Sequence, residues 1–354
     1  QGKPDLLSSQ TIQTIEKIQI EEGSQIQSKE QVVYGIYEPA NFDFNLNMWS
    51  ATKAEDLRSS LKRLNKINLS KSSNEILEAI LFSFSYPPQG MDEKEFIDLK
   101  INWLIENDRI DLLESFLKQN EKFDSKSKAV QYLVDENISK ANIEEGCKKI
   151  EFIDTKIKDS YLEKFKIYCL INDNRKDEAQ LMFDLLYESG FKDDFFEDKI
   201  NFLLGITEKT KSKILDDDLL NFYLSHITTK DFEYEPGNET DKYIWRYLTS
   251  ANLIKVDDFE NEEVISKYEK AAAQNSFDND EIFKIYLMMS FNFNQLVNSE
   301  EIYKNLPNYK ARALIYQSIL LSDNVEKKIK LAFLLKDLFI KENLFNIYAE
   351  ELSN

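Results

Sequence analysis

Apolar residues recur every three to four positions through most of the chain, the spacing that gathers them on one face of an α-helix. Leu57, Leu61 and Leu64 form a first such face, and Ile76, Leu77, Ile80, Leu81 and Phe84 a second. Start signals precede both. Thr52-Lys-Ala-Glu55 and Ser72-Ser-Asn-Glu75 have capping-box spacing, in which a hydroxyl and a carboxylate satisfy orphan amides of the first turn. Asp92-Glu-Lys-Glu95 opens a third helix with acids at its positive end. Pro87-Pro88-Gln-Gly90 lies between the second and the third and stops the hydrogen-bond ladder. The beginning of the chain reads differently. Residues 1–40 are rich in Gln, Ser and Glu, and TIQTIEKIQIEEGSQIQ alternates apolar and polar residues only in places. FDFNLNMW (Phe42–Trp49) alternates through Leu46, which predicts an extended segment laid on the body through its aromatics. Residues 1–49 are therefore expected to form an extended, partly disordered arm.

One plan recurs downstream. WLIENDRIDLLESFL (Trp103–Leu117), YLVDENISKANIEEGC (Tyr132–Cys147) and CLINDNRKDEAQLMF (Cys169–Phe183) each run from an aromatic or Cys through Leu-Ile/Val into an Asp/Asn/Glu-rich turn. A second amphipathic run follows each turn. Asn and Asp tolerate left-handed backbone where one helix stops and cap the next where it starts. The leucines at 104, 133 and 170 give an irregular period within the ~30–45 residues of helical-hairpin repeats. Weaker versions occupy Ile285–Tyr303 and Leu338–Leu352.

This plan resembles tetratricopeptide-like and related α-solenoid repeats, best over residues 95–190, although the small residues and closing proline of that consensus are mostly missing. The resemblance implies stacked antiparallel hairpins in an all-α superhelix, which binds partners along its surface. The chain also resembles, more loosely, a group of uncharacterised exported helical proteins of alphaproteobacteria. That likeness rests on MWSATKAEDLRSSLKRL (Met48–Leu64), the Tyr86-Pro-Pro-Gln-Gly break and two helix-borne cysteines. It implies export and a helical fold, and no activity. Soft boundaries fall near 90 and 212, the latter at the charged connector EKTKSKILDDD. The expected organisation is an arm over 1–49, hairpins over 50–212 and C-terminal helical repeats over 213–354, continuous with the preceding array or separate from it. The stretch Ile227–Tyr243 reads as a loop long enough to be functional or simply exposed.

Composition sharpens this picture. Eight Gly and six Pro in 354 residues are too few for a protein of many short, turn-linked strands. A net charge of −19 argues against a nucleic-acid backbone, which recruits clustered Lys and Arg. It also disfavours anionic membrane surfaces, and no apolar run approaches the ~20 residues of a bilayer span. The first residue is Gln1, as expected of an exported chain after leader removal; a cytosolic chain shortened at its start would look the same.

Candidate chemistry is sparse. Cys147 and Cys169 are the two cysteines, each on the apolar face of its own predicted helix. Their levels differ by roughly 7 Å at 1.5 Å per residue, so a structural disulfide and two buried thiols both fit. Redox or zinc chemistry fits less well, since the spacing is not Cys-x-x-Cys and the single histidine, His226, is far away. A bridge would close a short loop, for about 3 kcal/mol. His226 lies at a helix C-terminus, where an imidazolium favours the helix dipole. Asp216-Asp-Asp218, Asp257-Asp258 and Asp278-Asn-Asp280-Glu281 match no calcium loop, and no Gly-rich phosphate cradle is present. Phe195-Phe196, Phe222-Tyr223, Phe291, Phe293 and the run from Tyr303 to Tyr316 read as core packing, or as the lining of a concave groove. These observations predict a non-enzymatic scaffold or adaptor for other proteins in the bacterial periplasm, with no cofactor, no metal and no catalytic residue. The alternatives are a carboxylate-dependent cell-wall glycan hydrolase, a small-molecule or lipid carrier, and a cytoplasmic location.

Overall fold

The structure is a computed structural model that describes residues 33–67, 69–120, 123, 126–153, 159–237, 239–254 and 261–351. Residues 1–32 of the arm expected over 1–49, and the Asp257-Asp258 pair, lie outside the described residues. Among these residues regular structure is helical, with three isolated β-bridges as the only extended pairing. All-α is therefore the observed class.

Residues 33–49 lie folded against the body. Ile36 and Tyr37 donate their amides to the Phe82 carbonyl, Phe84 donates to Tyr37, and Tyr34 bridges Ser85. The Asn120 side chain grips Gly35 from both sides, accepting from its amide at 3.2 Å and donating to its carbonyl at 2.8 Å. A Cβ at Gly35 would meet the Phe84 amide nitrogen at 2.6 Å, so only glycine lets the two backbones come this close. FDFNLNMW is not extended. A short 3-10 turn over Pro39–Phe42 is followed by tight turns through Ser50. Asn45 explains the difference, since its side chain accepts from the Asn47 amide at 2.8 Å and folds the segment locally. Trp49 does anchor it, edge-on to Phe96.

Helices α1 (Ala54–Leu64), α2 (Lys71–Phe82) and α3 (Glu93–Glu106) follow. Neither expected capping box forms. The α1 cap is Lys53, and the Ala54 amide is satisfied instead by the Gln89 carbonyl of the Pro-Pro-Gln loop. Ser70 caps α2 by accepting from Ser73, which places Ser72–Glu75 inside the helix. Asp92 caps α3 through the Glu95 amide as expected. The chain continues through α4 (Ile110–Gln119), α5 (Lys126–Ser139), α6 (Ile143–Lys148), α7 (Ser160–Asn172), α8 (Lys176–Glu188), α9 (Asp194–Leu204), α10 (Leu219–Thr228) and α11 (Lys242–Ser250). It ends with α12 (Glu262–Ala273), α13 (Asn279–Met288), the short α14 (Phe293–Val297) and α15 (Ser299–Ile302), α16 (Asn308–Leu321), α17 (Val325–Lys341) and α18 (Phe345–Glu351).

The same turn closes seven of the described helices, once with Gly205 after α9 and six times with a residue other than glycine. Asp108, Ala141, Asn174, Asn252, Asn275 and Asn343 all have left-handed backbone. In each case the next amide donates to the carbonyl four residues before the left-handed residue, as Arg109 does to Leu104 and Arg175 to Leu170. This is the Schellman pattern, which consumes carbonyls that the helix end leaves unpaired. The first three lie at 108, 141 and 174, a spacing of 33 residues each.

Helix α5 is central to the first apolar core, which runs from Trp49 to Leu248; Ala129, Val130, Leu133, Val134 and Ile138 are fully enclosed. It packs on α3, α4, α6 and α7, and also on the distant α10 and α11. A second core, built by α12, α13 and α16–α18, contains Phe283, Tyr286, Leu331 and Phe339. Helix α11 joins the two: Ile244, Tyr247 and Leu248 enter the first core and Trp245 the second. The loop after α10 is laid on the first core, with Phe232 and Tyr234 edge-on to Phe222 and Pro236 buried. No helix of the described residues is long and apolar enough to cross a membrane.

Candidate functional site

Cys147 on α6 and Cys169 on α7 are joined in a disulfide, their Cα atoms 5.5 Å apart. Gly146 eases the helix approach, because a Cβ there would lie 3.3 Å from the Phe165 ring and the ring would have to give way slightly. Cys169 is buried in the first core and Cys147 is half-buried against it, so the bridge ties α6 to that core.

His226 sits in the last turn of α10, with Nδ1 2.6 Å from the Tyr247 hydroxyl and its ring against Phe232. Burial lowers its pKa, so the ring is neutral at pH 7 and the expected dipole-favouring imidazolium is not its role. The cause is the loop packed over it, which the residues around His226 do not announce. The carboxylate runs are spent locally. Asp218 caps α10 through the Asn221 amide, Asp217 accepts from the Asn221 side chain, and Asp216 takes the Tyr234 hydroxyl. Asp278 caps α13.

Charges that matter more lie on core-facing helical positions. Lys100 is fully enclosed, its Nζ donating to the Tyr34 carbonyl at 2.7 Å and resting 4.3 Å from the Phe96 ring centre. Burial pulls its pKa down to about 7. Buried Glu136 pairs with Arg246 at 2.7 Å and Lys140 at 3.1 Å, tying α5 to α11 beside a cleft of about 320 Å³. Its neighbour Asp135 accepts from the Tyr161 hydroxyl. Burial pushes the Asp135 carboxyl up to about 7; the Tyr161 bond opposes the rise, and the carboxylates of Asp218, Asp241 and Glu136 add to it.

This elevation makes stability depend on pH. An unfolded Asp ionises near 3.8, whereas folded Asp135 keeps its proton to about 7. Folding therefore binds a proton between those values, and the contribution of Asp135 falls as pH rises through that window and levels off above it. Asp135→Asn keeps an acceptor for Tyr161 and removes the ionisation. It should leave stability at pH 4 nearly unchanged and raise it at pH 8 by on the order of 4 kcal/mol. Urea midpoints for both chains across pH 4–8 test this, and an equal effect at both ends would refute it.

The least expected feature is an uncovered apolar face on the C-terminal helices. Helix α17, VEKKIKLAFLLKDLFIK, buries Leu331, Leu335, Leu338 and Phe339. On its other side Val325 (69% exposed), Ile329 (53%), Phe333 (62%) and Ile340 (48%) face solvent. Positions 325, 329, 333, 336 and 340 share one face, a seam about 22 Å long at 1.5 Å per residue. Phe345 of α18 and Leu320 and Leu321 of α16 are also exposed. Between α17 and α18 the seam deepens into a groove of about 270 Å³ lined by Ile329, Ala332, Phe333, Lys336, Phe345 and Tyr348. The aromatics read from the sequence as core packing, or as groove lining, are mostly core and line no part of this groove. Phe196, Phe222, Tyr223, Tyr309 and Tyr316 are core, and of that set only Phe293 stands largely in solvent.

No protein-family model matches the chain, and neither curated proteins nor solved structures give a match.

Proposed function

We propose that this chain is a non-enzymatic adaptor that binds another protein through the exposed seam of α17. The observation that carries the reading is four large apolar side chains in solvent on the opposite side from the buried face of one helix. Isolated apolar residues on a surface are ordinary, whereas a continuous row beside a groove marks an interaction site. The seam's spacing is that of a helix-in-groove interface. The Schellman turns at 108, 141 and 174 support a further reading, in which hairpins α3–α4, α5–α6 and α7–α8 are related units stacked in a tetratricopeptide-like manner. The packing of α5 on α10 and α11 then folds this array back on itself. The disulfide supports an oxidising compartment, in keeping with a periplasmic assembly and with the exported helical proteins that the sequence resembles.

Phe333 lends itself to the test because its ring contributes little to the core. Phe333→Asp should leave the helical circular dichroism unchanged and the unfolding free energy within about 0.5 kcal/mol of the parent, as for exposed sites. Parallel capture from native extract, followed by cross-linking through α17, should recover a partner with the parent chain and lose it with the variant. Equal recovery with both chains would refute the α17 site.

A further inference from the structure

The α17 seam holds one charge. Lys336 lies among its apolar positions and lines the groove beside Phe333 and Phe345. The other lysines of the helix lie off this seam; Lys330 pairs with Glu300, and Lys327 donates to the Val297 carbonyl at 3.2 Å. Lys336 has no ion-pair partner among the described residues. Resting on the adaptor reading above, we propose that the occupant of the seam is an amphipathic helix of a different protein, with apolar residues at helical spacing and a carboxylate set among them to meet Lys336.

A lysine inside an apolar interface must be paired when the interface closes, because an uncompensated ammonium is costly to bury. A second copy of this chain cannot supply the pairing through the same seam. Antiparallel pairing about the middle of the seam sets Lys336 against Ile329 of the other copy, and parallel pairing sets Lys336 against its own equivalent. Two chains of net charge −19 also repel. A foreign helix with a carboxylate at the matching position resolves both conflicts. Helix α17 carries five lysines against Glu326 and Asp337, a local excess of positive charge in an acidic chain that attracts such a helix. The seam supplies affinity, and Lys336 selects which amphipathic helix is accepted.

The test uses the full chain and two labelled synthetic helices of about five turns, identical in their leucine seam except for one central position. That position is Glu in the first peptide and Lys in the second. Fluorescence anisotropy should show the Glu peptide binding at least about tenfold more tightly than the Lys peptide. Lys336→Glu should reverse that order, and Phe333→Asp should abolish binding of both. Light scattering should show a monomer throughout. Equal affinities for the two peptides, unchanged by Lys336→Glu, would overturn the charge selection while leaving the seam as a docking site. A concentration-dependent dimer lost in Phe333→Asp would overturn it in favour of a second copy. Failure to bind either peptide, with no self-association, would overturn both this inference and the adaptor reading.

Discussion

Glu269→Ala is expected to lower the unfolding free energy by about 3–5 kcal/mol, among the largest effects of any single substitution in this chain. Glu269 and Arg312 are both buried in the second core, 1% and 2% exposed. Arg312 Nε donates to Glu269 Oε1 at 2.9 Å and Nη2 donates to Oε2, while the Tyr286 hydroxyl donates to the same carboxylate. The guanidinium also lies 5.7 Å from the Phe339 ring centre, and its Nη1 already lacks a hydrogen-bond partner. Its pKa is raised: burial works against the charge, and the neighbouring Tyr286 and Glu269 more than offset that. Removing the carboxylate leaves a buried ionised arginine whose remaining acceptor is the Tyr286 hydroxyl oxygen, 3.1 Å from Nε, and a phenol that has lost the acceptor for its own proton.

The large loss does not mean that the ion pair is a large net gain. Desolvation of both charges offsets most of their attraction, so apolar replacement of the pair costs far less than breaking it. Glu269→Ala combined with Arg312→Met should recover most of the loss. Urea unfolding of the two single variants and the double variant gives the coupling directly. A cost below about 1 kcal/mol for Glu269→Ala would mean that water reaches the site. Recovery by the double variant would place the stability of the second core in its packing and the role of the ion pair in fixing how α12, α13 and α16 meet.

The helical class and most of the helices are written in the apolar spacing of the chain, because the 3.6-residue period survives wherever one face is buried. The hairpin turns were legible too, but through the wrong marker. Leucines at 104, 133 and 170 give an irregular period, whereas the left-handed residues at 108, 141 and 174 are evenly spaced. Leu133 lies one helical turn before the position that corresponds to Leu104 and Leu170, which Asn137 occupies. The buried charges had a signal of their own. Lys100 falls on the stripe of Phe96, Ile97, Ile101 and Leu104 in α3, where a surface lysine does not belong. What spacing cannot give is the partner. Nothing near Glu269 indicates Arg312, 43 residues later, or that Tyr161 would seal Asp135. The α17 seam was hidden for a related reason: a helix apolar on two sides reads as fully buried, and only packing shows which side is covered.

Reduction of Cys147–Cys169, or its replacement by two serines, is expected to cost about 3 kcal/mol. The bridge spans 22 residues, and in the loop-closure account its main effect is to restrict the unfolded chain. Its native-state effect should be local, because α6 is short and is otherwise held by its packing on α5 and α7. The helix is six residues long and lacks a side-chain cap; beyond the bridge, Ile143 and Gly146 pack on the core, and the following turn adds Ile150, Phe152 and the Lys149–Glu114 ion pair at 2.8 Å. A helix of under two turns has no intrinsic stability in water. Hydrogen exchange in reductant should therefore accelerate first over residues 143–153, while α5 and α7, enclosed on several sides, keep their protection. Mass spectrometry of protein isolated without reductant should recover the two cysteine peptides as one linked species. Thiols that alkylate freely in the native protein, with no change in the unfolding midpoint, would remove both the bridge and the support it gives to an oxidising compartment. If the bridge is present and its loss opens only the α6 segment, the disulfide acts as a clamp on the weakest hairpin of the first core. The Glu-bearing peptide offered to the α17 seam, on a helix of the second core, should then bind equally well to oxidised and reduced protein.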